Sequence, residues 1–143
     1  MDRQAIKELQ TTYDQKASDL LQKMSLEEKV NLMGGNISFL VLVWDMMVRG
    51  HYNPVPYPAG GNPPLGIPAL MFCDGPRGLV PNHGTCFPVA MARGATFDVG
   101  LQERIGEAIG KEIRAVGGNY YGGVCINLLR HPAGGRAQET YGE

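Results

Sequence analysis

The sequence predicts an α/β fold, and three observations lead there. Two apolar runs, Ala69–Cys73 and Tyr120–Leu129, have the make-up of buried strands, the second best in VCINLL. Between them Leu101, Ile105, Ala108, Ile109, Ile113 and Val116 recur at helical spacing. Each run ends where a strand cannot continue, at Asp74-Gly75-Pro76 and at Arg130-His131-Pro132. Strand, helix and strand in that order make a βα unit. Its strands are expected to be parallel neighbours joined by a right-handed crossover.

Residues 3–24 place Ala5, Ile6, Leu9, Tyr13, Ala17, Leu20, Leu21 and Met24 on one face. This is an amphipathic helix with an apolar side to dock. Ser25-Leu26-Glu27-Glu28 is a capping box, so a second helix starts at Leu26 and stops at Gly34-Gly35. Residues 36–68 are harder to read. ISFLVLVWDMMV fits a strand or a short buried helix, and the six prolines of residues 51–68 predict a long ordered loop. His51, Tyr52 and Tyr57 either line a pocket in that loop or are exposed loop residues.

After the first strand the chain reads as irregular, with a short strand or a buried turn at Cys86–Ala92. Thr96 or Asp98 caps the long helix, and Gly117-Gly118 ends it. The tail, AGGRAQETYGE, is polar and shows no closing element. There is no internal repeat, no low-complexity tract and no evident domain boundary.

Thirteen basic and fourteen acidic residues give a net charge of -1. No basic stripe suggests nucleic acid. The most apolar stretch, Ile37–Val48, carries Asp45 and is too short to span a bilayer, so no membrane partner is expected. The polar N-terminus has no apolar signal core, and a soluble, cytoplasmic chain is expected. Cys73, Cys86 and Cys125 lack C-x-x-C spacing and read as buried thiols. His83 and His131 are not spaced as metal ligands, and neither a metal nor an organic cofactor is implied.

The chemistry centres on Asp74 and Arg130, which end the two best strands. From parallel neighbours, both side chains would leave the same end of the sheet, where α/β proteins bind ligands. A carboxylate there can accept from two adjacent hydroxyls. A guanidinium can donate to a ring or hydroxyl oxygen and keep the carboxylate ionised. The pair suits a polyhydroxylated ligand such as a sugar. The alternative is a turn aspartate with an ion-paired arginine. Arg77 is expected to fix the turn by bonding backbone carbonyls. Arg136 and Glu139, three apart, are expected to form a local ion pair. GGNYYGG follows a helix rather than opening one, which argues against a phosphate cradle.

Several motifs together resemble glycoside hydrolase family 3. They are MSLEEKVNLMGG (24–35), GIP (66–68), DGPRG (74–78), FPVAMA (87–92), GKEIRAVG (110–117) and NLLRHPAGGRAQETYGE (127–143), in the family's order. The segment 36–62 matches no part of that pattern. The resemblance implies the N-terminal portion of a (β/α)8-type barrel domain, incomplete, with residues 1–24 as a leading helix and 25–143 as the first βα units. It implies a retaining β-glucosidase-like enzyme that hydrolyses terminal β-linked sugars. Asp74 and Arg130 would bind the sugar, and Arg77, Arg136 and Glu139 would shape the site. The family's nucleophile, its acid/base and a sugar-binding Lys-His pair would follow Glu143. The chain alone is therefore expected to be inactive, with a β-glucoside or related oligosaccharide as ligand. The open strand edges of so few βα units predict a complementing chain or self-association. A truncated carbohydrate-binding chain and one half of a split enzyme are the alternatives.

Overall fold

The computed structural model describes residues 2–142. Where the sequence shows no boundary, the backbone divides into two compact units. One runs up to Gly35 and includes Gly60–Ala69, and the other comprises Asn36–Ala59 and the chain from Leu70 onward.

The first unit opens with helix α1, Arg3–Lys23, capped by Asp2. Its apolar stripe has the predicted spacing, but none of its residues is buried, and Leu9, Tyr13 and Leu21 are exposed. Helix α2, Leu26–Leu32, starts at the predicted capping box. Ser25 Oγ accepts from the Glu28 amide at 3.2 Å, and Glu28 Oε2 accepts from the Ser25 amide at 2.8 Å. The other oxygen of Glu28 accepts from Asn62 Nδ2 at 3.0 Å. The Ser25 amide first, and then Asn62, hold the Glu28 carboxyl below its ordinary pKa.

In the second unit the ambiguous apolar stretch is a helix, α3, Phe39–Met47, with Ser38 as its cap. It is not the buried helix that its composition suggests. Phe39, Leu40, Trp44 and Met47 are exposed, and Asp45 is its buried residue. The proline-rich loop contains a strand, β1, Tyr57–Ala59. It pairs antiparallel with β2, Leu70–Cys73, placing Tyr57 opposite Phe72. Pro58 is tolerated because β1 is an edge strand. Strand β3, Tyr120–Tyr121, pairs with Phe72 and Cys73 in the predicted parallel sense.

Between β2 and β3 lie α4, Ala90–Gly94, and α5, Val99–Ala115. Helix α4 occupies part of the segment expected to be a strand or a buried turn. Helix α5 follows its sequence signals closely. Asp98 Oδ1 accepts from the Leu101 amide at 2.8 Å, while Thr96 Oγ1 accepts from the Asp98 amide at 3.2 Å. Ile105, Ile109 and Ile113 pack with Cys73 and Leu79, flanked by Phe87, Leu101, Val116 and Tyr121. Burying each isoleucine contributes roughly 1.5–3 kcal/mol. Gly117, at φ 83°, turns the chain out of the helix. Asp98→Ala should lower stability by about 1 kcal/mol, read as a lower urea midpoint at unchanged slope.

The second predicted strand is shorter than its pattern suggests. β3 stops at Tyr121, and VCINLL leaves the sheet with Val124, Ile126 and Leu128 exposed. Gly122 and Gly123 interrupt it: side chains there would run into the Phe72 ring and the Gly75 carbonyl. The backbone beyond bonds to the tail instead. Leu128 bridges Gly142, and the Leu129 amide donates to the Gly142 carbonyl at 2.8 Å. The tail therefore does close on the preceding chain. Among the described residues no helix is long and apolar enough to cross a membrane.

Candidate functional site

The site is built on the turn that leaves β2. The Asp74 amide donates to Asn53 Oδ1 at 2.8 Å, and the Asp74 carbonyl accepts from the Val80 amide at 3.0 Å. Asp74 Oδ1 accepts from the Gly75 amide at 2.8 Å. Gly75 and Gly78 lie at φ 137° and 127°, where a side chain is strained, and the Gly78 amide closes on the Gly75 carbonyl at 3.2 Å. Asp74 Oδ1 thus caps the Gly75 amide inside a turn closed by backbone bonds, and the side chain is half-buried rather than enclosed.

Two tyrosines flank the turn. Tyr52 packs edge-on against Tyr57, with ring centroids 6.0 Å apart. Burial, and then the adjacent Asp74 charge, raise the Tyr52 pKa. Of the three loop aromatics, Tyr52 thus stands beside the candidate carboxylate. Tyr57 is buried, and His51 packs against the ring of His83. Tyr121 donates its hydroxyl to the Gly75 carbonyl, and burial is the main reason its pKa is pushed up to about 12.

Arg136 and Glu139 form the predicted ion pair, with Nε and Nη2 at 2.9 and 2.6 Å from Oε2. Glu139 raises the Arg136 pKa, and the Asp74 charge adds to the same shift. Cys125 belongs to the same neighbourhood, with Sγ 3.8 Å from Glu139 Oε2. Burial first, then the Glu139 charge, push its thiol up.

Arg130 is placed differently from its prediction. It is exposed in the irregular segment after VCINLL, and it does not end a strand beside β2. It lines a hollow of about 390 Å³ together with Leu128, His131, Arg136 and Thr140. Asp74 and Arg130 therefore do not leave adjacent strand ends, because the sheet stops at Tyr121.

Arg77 is exposed, and its backbone carbonyl accepts from the Phe87 amide at 2.6 Å. The carbonyl bond expected of its side chain is made by Arg93, whose Nη2 donates to Pro76 O at 2.8 Å. Arg93 is buried, sits over the Tyr141 ring at 5.3 Å, and leaves Nε without a partner. With Gln102, Tyr121 and Tyr141 it lines a cavity of about 310 Å³. Arg93 is not among the residues that the sequence pattern singles out. The available signal was a charge at the end of the otherwise apolar FPVAMA run. Among the described residues, no three His, Cys, Asp or Glu side chains are grouped to hold a metal ion.

A sheet with a parallel pair, crossover helices and an acidic turn at a strand end is the α/β architecture that the sequence predicts. Residues 58–143, more than half the chain, match the glycosyl hydrolase family 3 N-terminal domain. The chain belongs to that family, and its fold is the N-terminal portion of a (β/α)8-type barrel. It is 35% identical over 130 residues to a probable beta-glucosidase F of Emericella nidulans, covering 90% of this chain and 14% of the relative. It is 33% identical to a beta-glucosidase of Rhizobium radiobacter, covering 87% of this chain and 14% of that protein. The solved beta-glucosidase 3B of Thermotoga neapolitana, in complex with alpha-D-glucose, superposes with a TM-score of 0.65 at 29% identity. That match covers 82% of this chain and 17% of the other. The chain thus spans under a fifth of the length of these relatives.

Proposed function

We propose that this chain supplies part of the first sugar subsite of a β-glucosidase-like hydrolase acting on terminal β-linked glycosides. The observation that carries the reading is the Asp74 carboxylate. It is fixed at the mouth of β2, where Asn53 holds its amide and the Gly75 amide donates to Oδ1, and it is half-buried. Asp74 accepts from hydroxyls of the non-reducing-end sugar, and Arg130 is assigned to the same sugar by the family resemblance alone, since it leaves no strand end beside Asp74. Arg77, Arg136 and Glu139 shape the surrounding loops. The names of the relatives and the glucose complex of the structural neighbour support this reading.

The complete reaction is retaining and proceeds by two displacements. One carboxylate attacks the anomeric carbon, and a second group protonates the leaving oxygen. Asp74 is assigned to neither role, since it binds and orients. A chain spanning under a fifth of its relatives is not expected to turn over substrate by itself. The exposed apolar residues of α3, and Val124, Ile126 and Leu128, support a complementing chain or self-association.

Two measurements test the proposal. The chain is incubated with 4-nitrophenyl β-D-glucoside, and D-glucose binding is followed by saturation-transfer NMR. No nitrophenol release above buffer is expected. Glucose saturation transfer should be present in the wild type and lost in Asp74→Ala, because the partner hydroxyls are left unpaired. Turnover that survives in Asp74→Ala would overturn both the site and the division of labour.

A further inference from the structure

We infer that Asn53 is a positioning residue for the Asp74 carboxylate, held in place by Tyr57 and Asp45. The inference rests on the reading of Asp74 as a sugar-binding group and extends it to a segment that matched no family motif.

Asn53 is fully buried, at 0% exposure, and sits at φ 51°, a left-handed conformation that asparagine tolerates. Its Oδ1 accepts from the Asp74 amide at 2.8 Å. Its Nδ2 donates to the Val55 carbonyl at 2.8 Å and reaches the Phe72 carbonyl at 3.5 Å. Phe72 and Asp74 flank Cys73, so one side chain grips the exit of β2 on both sides of that residue. Holding the Asp74 amide fixes the peptide plane from which the Asp74 side chain departs.

Asn53 is itself anchored. Its amide donates to the Tyr57 hydroxyl oxygen at 3.0 Å, and that hydroxyl donates to Asp45 Oδ2 at 2.8 Å. Asp45 Oδ1 pairs with Arg49 Nη1 at 3.2 Å. A continuous line of hydrogen bonds thus runs from α3 through β1 to the first residue after β2. It explains the inverted burial of α3, whose buried residue is an acid while its large apolar side chains face outward. Buried polar networks fix one geometry when their members are satisfied, and Asn53 and Asp45 are.

The test measures D-glucose affinity of the full chain by NMR titration, together with hydrogen exchange of the Asp74 amide. Asn53→Gly keeps the left-handed backbone and removes the side-chain bonds. Glucose binding should weaken at least tenfold in Asn53→Gly, with faster Asp74 exchange. Asn53→Gly combined with Asp74→Ala should bind no more weakly than Asp74→Ala alone. Tyr57→Phe leaves the Asn53 side chain intact and should weaken binding less than Asn53→Gly, which provides a second variant should that one unfold. Ile105→Val, destabilised in the α5 core, should keep wild-type affinity at a temperature where it is folded. If Asp74→Ala weakens binding and neither Asn53→Gly nor Tyr57→Phe does, the positioning role is wrong and the sugar reading stands. If Asp74→Ala leaves binding unchanged, or the wild type binds no glucose, the sugar reading fails. Asp74 exchange unaltered in Asn53→Gly then overturns the positioning role as well.

Discussion

Gly75→Ala should lower the stability of the chain by more than about 3 kcal/mol and abolish glucose binding. The backbone at Gly75 is at φ 137°, and placing a side-chain residue there costs of order 1–3 kcal/mol by itself. The added methyl would also collide with the Gly78 carbonyl and approach the Val80 amide nitrogen at 3.1 Å. Both obstacles are backbone of the same turn, so no side chain can swing aside. Relief requires opening the turn, which releases the Gly78 amide, the Val80 amide and the Tyr121 hydroxyl from their carbonyls. Asp74 loses its geometry in the same event. Gly110→Ala is the matched control. It lies inside α5 with nothing within 4 Å of the new methyl, and should raise stability by about 0.5–1 kcal/mol. Urea midpoints followed by circular dichroism separate the two. A Gly75→Ala midpoint equal to wild type would show that the turn is not the rigid element described.

The features legible in the sequence are those encoded locally. Helix α5 announces itself through the Asp98 cap, the isoleucine stripe and Gly117, all within one segment. The capping box at Ser25 and the turn after β2 are local in the same sense. β1 was not legible, because three residues containing a proline form a strand only when β2 lies alongside. The apolar pattern of α3 does not choose a period, and the burial of Asp45 depends on Tyr57 twelve positions away. VCINLL has the composition of a strand, but two glycines and pairing with Gly142 decide its path. That one difference moves Arg130 away from the predicted strand end.

The same logic yields the second large effect, at Arg93. Arg93→Ala should cost about 3–5 kcal/mol. The donor to Pro76 O disappears, at roughly 1.5–3 kcal/mol for a charged hydrogen bond. The contact with the Tyr141 ring also goes, on the order of 2 kcal/mol when desolvated, and a void opens beside an existing cavity. A different balance holds for Arg93→Met. Methionine fills similar space and can still touch the tyrosine ring. It also removes a charge that is 5% exposed, forms no ion pair among the described residues, and leaves Nε unpaired. Replacing buried ionic groups with apolar ones of similar volume is often neutral or stabilising. Arg93→Met should therefore lose clearly less than Arg93→Ala, the remainder reflecting the unsatisfied Pro76 carbonyl. If the two variants unfold at the same urea concentration, packing contributes little and the Pro76 bond alone is what Arg93 supplies. If both resemble wild type, Arg93 does not hold the turn, and the stability of the Asp74 site must come from Asn53 and the two turn glycines.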